Sequence, residues 1–246
     1  MISGFITTLQ FIAAINLYDS MPDFSIINGD TALIRKTADF SITGKGDNPA
    51  WDKTSWQEFT KIDSGGKNYT SKSKMLYSEK GIYILFAGDD KQITTKDYKD
   101  DEEIYEGDVF EFFLQTDTTQ PPYFEYEINQ LERQLILTLS HFPHNNLAWS
   151  PWGYEYKRNP VIKKKVAINH GIKKPGAAIG PWSAELFFPY EIFGMLPGSP
   201  PKSGVMWRAN FCRIDYDSGK MLQWTWSKKI KSSFHELENF GVILFE

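Results

Sequence analysis

Cysteine is almost missing from this 246-residue chain, which carries only Cys212. A disulfide within the chain is thereby excluded, and a lone thiol inside an apolar run reads as buried and inert rather than as a nucleophile. A basic excess is missing too, because 27 Lys and Arg stand against 31 Asp and Glu, for a net charge of -4. Binding to nucleic acid needs a positive face that neutralises phosphates, so that class of partner is set aside. The one basic cluster, Lys163, Lys164 and Lys165 with Lys173 and Lys174, flanks a strand-like segment and reads as a protected sheet edge. No apolar run amounts to a membrane span, which needs about 20 mainly apolar residues. The most apolar segment, 2–17, is broken by Thr7, Thr8, Gln10 and Asn16, and no Lys or Arg precedes Arg35, as a secretory leader would require. Residues 1–32 are read as an extension that is a degenerate leader, an extra ordered element or a disordered tail. Also missing are a G-x-S-x-G turn, a glycine-rich phosphate loop and a Cys–His context, so nothing points to a nucleophilic or nucleotide-dependent enzyme, and no organic cofactor is expected.

What the chain has in quantity is aromatic side chains, 15% of its residues, including 8 Trp and 18 Phe. They fall in short segments separated by turn residues, the pattern of an all-β domain. Strands are expected at 38–42, 74–77, 82–87, 109–115, 123–129, 135–140, 166–169, 182–188, 206–215, 222–226 and 242–245. Several alternate cleanly: Phe110, Phe112 and Leu114 oppose Glu111 and Gln115, and Phe124, Tyr126 and Ile128 oppose Glu125, Glu127 and Asn129. The expected fold is an antiparallel two-sheet β-sandwich over 33–246 with very short helices, one of them at 190–194. Its expected core is Trp51, Phe86, Phe110, Phe112, Phe124, Tyr126, Trp182, Phe188, Trp207 and Phe211.

Strand parity places Glu111, Gln115, Glu125, Glu127 and Asn129 on the non-core faces of two neighbouring strands, with Arg208 and Asn210 on the same parity of a third. Such a set can bind the vicinal hydroxyls of a sugar or can be a solvated outer face. Between Lys96 and Asp108 lie seven carboxylates, from which Asp97, Asp100, Asp101 and Glu103 are the candidate calcium ligands, a plain acidic loop being the alternative. His141 and His144 flank Pro143, which forbids helical ligand spacing, so a zinc site is not favoured. The loop that follows, with Trp149, Trp152 and Tyr154, is either a binding surface or a flap on the core.

The order of segments resembles carbohydrate-binding module family 9 over 38–246. An "I-D-G-x-x-D-x-x-W" turn is similar to 42–51, and the strand pair that follows it to 73–77 and 81–87. The family's "D-x-V-E-x-F" strand is similar to 108–113, "Y-x-x-F-x-x-N" to 123–129, "W-x-x-E-x-x-I-P" to 182–189 and "W-R-x-N-F-x-R" to 207–213. At the end, Trp226-Ser227 and the run Phe234-His235 to Phe240-Gly241 look like the family's closing W-S and F-H-x-P-x-x-F-G, with Leu237 in place of proline. The resemblance implies a non-catalytic sandwich that recognises a sugar terminus and assists polysaccharide breakdown beside glycoside hydrolases, in a periplasmic or secreted setting, with structural calcium. It implies an aromatic clamp at Phe234 and at Tyr105, or Ile104 with the gap placed differently. The clamp glutamate falls on Glu111 and an asparagine on Asn129, while Glu127 replaces an arginine. Three other readings stand beside this one: a glycoside hydrolase, whose two carboxylates an acidic face can imitate, a haem-binding sandwich using Met206 and His170, and a scaffold without a ligand.

Overall fold

Apolar residues that alternate with polar ones along an extended chain bury one face, and here fourteen such strands stack into two layers. The computed structural model describes residues 30–142, 146–151 and 162–246 without Lys67 and Met195, and the side chains of 141–151 lie outside that description. The extension expected at 1–32 lies outside it as well, apart from its last three residues. In chain order the strands are β1 (Thr31–Lys36), β2 (Gln57–Glu58), β3 (Thr60–Lys61), β4 (Ser71–Tyr77), β5 (Gly81–Gly88), β6 (Val109–Gln115) and β7 (Pro122–Ile128). They continue with β8 (Gln134–Phe142), β9 (Asn146–Pro151), β10 (Lys163–Ile168), β11 (Trp182–Pro189), β12 (Met206–Asp215), β13 (Leu222–Thr225) and β14 (Gly241–Phe245).

The first sheet runs β9-β8-β7-β6-β12-β14, and β13 lies beside the second half of β12. The second runs β10-β11-β5-β4. All these pairs are antiparallel, as expected. The exception is β1, which runs parallel to β14 through Thr31–Ile34 and then parallel to β4 through Arg35 and Lys36. A strand that changes sheets makes the corner of a sandwich, so the fold is a mixed rather than strictly antiparallel one. The expected strand at 38–42 is absent: Phe40 and Ile42 pack instead beside Trp51 without joining a ladder.

Helix is confined to single 3-10 turns at Pro49–Lys53, Ile104–Glu106, Tyr190–Phe193 and Leu237–Asn239 among the described residues. All ten expected core residues are buried. Nine of them fill the space between the sheets, where Phe86 stacks on Phe110 at 4.9 Å and Tyr126 meets Phe188 edge-on at 4.9 Å. Each such ring contributes about 1.5–3 kcal/mol by burial. Trp51 is the tenth, and it sits elsewhere, on the outer face of the second sheet with Tyr83, Leu85 and Phe187. Cys212 is buried, as its context implied.

Candidate functional site

Inward on β6 and β7 point the core aromatics, so the alternate residues must face the other way. The register sets Glu111 opposite Glu127 and Phe113 opposite Glu125, with Cys212 of β12 on the other side of Glu111. This outer face is not solvated. The chain after β13 folds back over it, and Ile230, Phe234, Leu237 and Phe240 pack on Phe113 and Tyr123. One carboxylate pins that cover: Glu236 accepts from Ser232 N (2.9 Å), Ser232 Oγ (2.8 Å), Ser233 N (3.0 Å) and Asn239 Nδ2 (2.8 Å). Although burial opposes it, these donors pull its pKa down to about 2. Glu236 was not anticipated, yet the Ser233-x-x-Glu236 spacing has the form of a capping box and was available as a signal.

Between cover and sheet remains a cleft of about 370 Å³. Its floor is Glu111, Glu125 and Glu127, its apolar side is Leu135, Leu137 and Leu139, and Tyr105, Phe234 and His235 stand around it. The three floor carboxylates are 3%, 4% and 1% exposed. Burial raises all three pKa values: Glu125 is pushed up to about 7, and Glu111 and Glu127, where the charge of a neighbouring carboxylate adds to burial, well above the usual range. Glu125 and Glu127 lie close enough to share a proton, while no N–H or hydroxyl among the described residues reaches Oε2 of either. Buried acceptors without donors cost about 1–3 kcal/mol each, more when charged, and such a cost persists where a ligand supplies the missing donors.

Of the sequence-derived sugar set, Tyr105, Glu111, Glu127 and Phe234 meet at this cleft. Tyr105 is 39% exposed on its 3-10 turn, and burial of the ring together with its bond to Glu103 lifts its hydroxyl to about 12. Ile104, the alternative clamp position, is fully buried in the layer beneath. Phe234 differs from expectation in being only 4% exposed, because it packs on Phe113 at 6.4 Å instead of standing out on its loop. Asn129 does not line the cleft: it accepts from Leu131 N and Arg133 N, both at 3.0 Å, and makes the turn after β7. Arg208 lies opposite Gln115, four residues along β12 from Cys212, and is also outside it. Asn210 is tied to Thr225 Oγ1 (3.0 Å) and Ser227 N (3.1 Å).

The four candidate calcium ligands do not converge. Asp97 pairs with Arg133 at 3.7 Å and Asp100 with Lys164 at 2.6 Å, while Asp101 and Glu103 face the cleft. Among the described residues the acids that do converge are Asp90, Asp108 and Asp217, which each offer an oxygen within 4.8 Å of the others. Burial, then the charges of Asp90 and Asp215, push Asp108 up to about 8, and burial pushes Asp90 up to about 6. Gln130 donates to both Asp90 (3.0 Å) and Asp108 (3.3 Å), and its own buried Oε1 has no partner. Crowded hard oxygens of this kind suit a calcium-like cation. Beside them, Arg213 bonds Asp215 at 2.6 Å and Asp90 at 3.3 Å in the interior. Met206 and His170, the conceivable haem ligands, are both exposed. The zinc reading at His141 and His144 and the aromatic loop with Trp149, Trp152 and Tyr154 concern side chains outside the described residues; β9 carries the backbone of Trp149.

No curated protein sequence matches this chain. Among solved structures it is similar to a candidate carbohydrate-binding protein from Bacteroides uniformis, at 14% identity and a TM-score of 0.71, over 89% of this chain and 100% of that one. A carbohydrate-binding module of family 9 from Caldicellulosiruptor kristjanssonii matches as its cellotriose complex at 14% identity and a TM-score of 0.56, over 88% of this chain and 94% of that one. Its glucose complex matches at 13% identity and a TM-score of 0.53, over 88% and 96%. At such identities the likeness concerns the fold. The sequence profile described as carbohydrate-binding family 9 matches residues 50–245, and with four fifths of the chain inside it, this protein belongs to that family.

Proposed function

We propose that the cleft beneath the 228–240 cover binds the terminal sugars of an oligo- or polysaccharide without altering them. One observation carries the reading: buried carboxylates that lack donors face a cavity with an aromatic rim and an apolar side. Sugars answer both demands, since hydroxyls donate to carboxylates and the C–H face of the ring lies on an aromatic plane. That the Caldicellulosiruptor module is described in complex with glucose and with cellotriose supports it. In this reading the protein is a binding accessory to polysaccharide breakdown in a periplasmic or extracellular setting, and a calcium-like ion held by Asp90, Asp108 and Asp217 braces the loops behind β6.

A glycan array followed by calorimetry tests it. About 0.3 kcal/mol for each of the roughly 23 heavy atoms of a disaccharide gives a dissociation constant on the order of 10 μM. Tyr105→Ala, at a largely exposed position, is expected to weaken binding at least about tenfold while leaving the circular dichroism unchanged. Equal affinity in parent and variant for the best array hit would move the site elsewhere. The hydrolase reading has one observation in its favour. Glu111 and Glu127 are directly opposed on adjacent strands, which brings their Cβ atoms to about 4.5–5.5 Å, near the carboxylate spacing of retaining glycosidases, about 5–5.5 Å. Reducing sugar released from the bound glycan and lost in Glu111→Gln would select it.

A further inference from the structure

The charge of the cleft narrows its ligand, in an inference that rests on the cleft being a sugar site. Six lining side chains are acids: Asp101, Glu102 and Glu103 at the rim, and Glu111, Glu125 and Glu127 on the floor. No Lys or Arg stands among the described lining residues, and the one nitrogen base, His235, has its Nδ1 3.0 Å from the Tyr123 hydroxyl. A neutral sugar offers hydroxyls that both donate and accept, so a site made for it supplies donors as well as acceptors. This floor supplies acceptors. Of the donors at the rim, the Tyr105 hydroxyl bonds Glu103 and the Ser232 hydroxyl bonds Glu236, which leaves the Ser233 hydroxyl and the Gln223 amide.

A carboxyl taken out of water keeps its proton unless a cation pairs with it, and among the described residues that line the cleft there is no Lys or Arg. A metal ion does not fit. Among the described residues the oxygens that converge within one coordination sphere belong to Asp90, Asp108 and Asp217, not to the floor. An ammonium fits better, because its three N–H donors can spread over separated acceptors, and Oε2 of Glu125 and of Glu127 are both buried and without a donor. The ring that carries it meets Leu135, Leu137 and Leu139 on one side and the Tyr105 and Phe234 rings on another. We propose that the cleft takes a protonated amino sugar, a 2-amino-2-deoxyhexose at the end of a chain, its ammonium against Glu125 and Glu127 and its pyranose ring against Tyr105.

Calorimetry with the β-1,4-linked disaccharides of glucosamine, glucose and N-acetylglucosamine separates the possibilities, since the backbone is constant and the group at C2 changes. The glucosamine disaccharide is expected to bind at least about tenfold more tightly than the other two, the gain of a charge-assisted bond over a neutral one. Glu127→Gln, which keeps the shape of the floor, should bring the glucosamine and glucose disaccharides to within about twofold of one another. Glucose disaccharide binding as tight as the glucosamine form, and lost in Tyr105→Ala, would overturn the amino-sugar assignment and leave the sugar site standing. Methylammonium or calcium chloride binding as tightly as the disaccharide would overturn it too, because the ring would then contribute nothing. Absence of binding to every glycan would remove the sugar-site reading itself.

Discussion

Glu185 and Glu127 occupy corresponding places on the two sheets, each facing outward from its strand and each at most 1% exposed. Their surroundings differ in one respect. Glu185 accepts from Thr43 N (2.7 Å), Gly44 N (2.6 Å), Thr43 Oγ1 (3.1 Å) and Trp51 Nε1 (2.7 Å), so that it fastens the 43–51 segment over the second sheet. Glu127 has its neighbour Glu125 to share a proton with and an oxygen that no donor reaches. Both glutamates are buried, so burial does not tell a structural carboxylate from a ligand-binding one. The supply of donors does.

The comparison can be broken most forcefully at Glu185. Glu185→Ala leaves the buried indole N–H of Trp51 and the buried Gly44 N–H unpaired, together with the Thr43 N–H, and is expected to cost about 3 kcal/mol or more. A urea midpoint lowered by less than the equivalent of about 1 kcal/mol would mean that the four bonds do not hold the segment. An intermediate case sharpens the contrast: Asp90, Asp108 and Asp217 have donors and yet crowd their oxygens within 4.8 Å of one another. Calcium at about 100 times its dissociation constant should raise stability by about 2.7 kcal/mol over the chelated protein. A melting temperature that does not move with chelator would rule out the ion. Smallest is the effect of pH on the floor. The folded pKa of Glu125, about 7, lies above its ordinary 4.5, so the folded state holds this proton longer. Stability is therefore full below about pH 4.5 and declines as the pH rises towards 7, by on the order of 1–2 kcal/mol after allowance for coupling. Glu125→Gln should flatten that slope, leaving the part due to Asp90 and Asp108; an unchanged slope would show that the floor is not the source.

Much of the sandwich was legible because side-chain alternation is local. β6 and β12 begin and end where the apolar pattern places them, and β11 runs one residue longer. The pairing of β1 was not legible, since Thr31–Lys36 is polar at its end and its partners lie up to 211 residues away. Parity correctly set Glu111 and Glu127 on one face but misdirected Asn129, because β7 stops at Ile128 and an asparagine there turns to bond the backbone two residues on. The burial of Phe234 has its signal elsewhere, since Leu135, Leu137 and Leu139 alternating with inward Ile136 indicate that the outer face is covered.

β1 has a consequence for how the molecule comes into being. Thr31 pairs with Val242 and Ile34 with Phe245, so a strand near the start of the domain finds its main partner only in β14. Contacts this distant in sequence raise contact order and slow folding. During synthesis at about 5–20 residues per second, some 200 residues must follow β1 before it can pair with β14. For roughly 10–40 seconds the growing chain holds an open β-strand, a template for pairing with another chain. Arg35 and Lys36, which close β1 and pair with β4 instead, stand at the end of that open strand, and charged side chains there disfavour pairing with another chain.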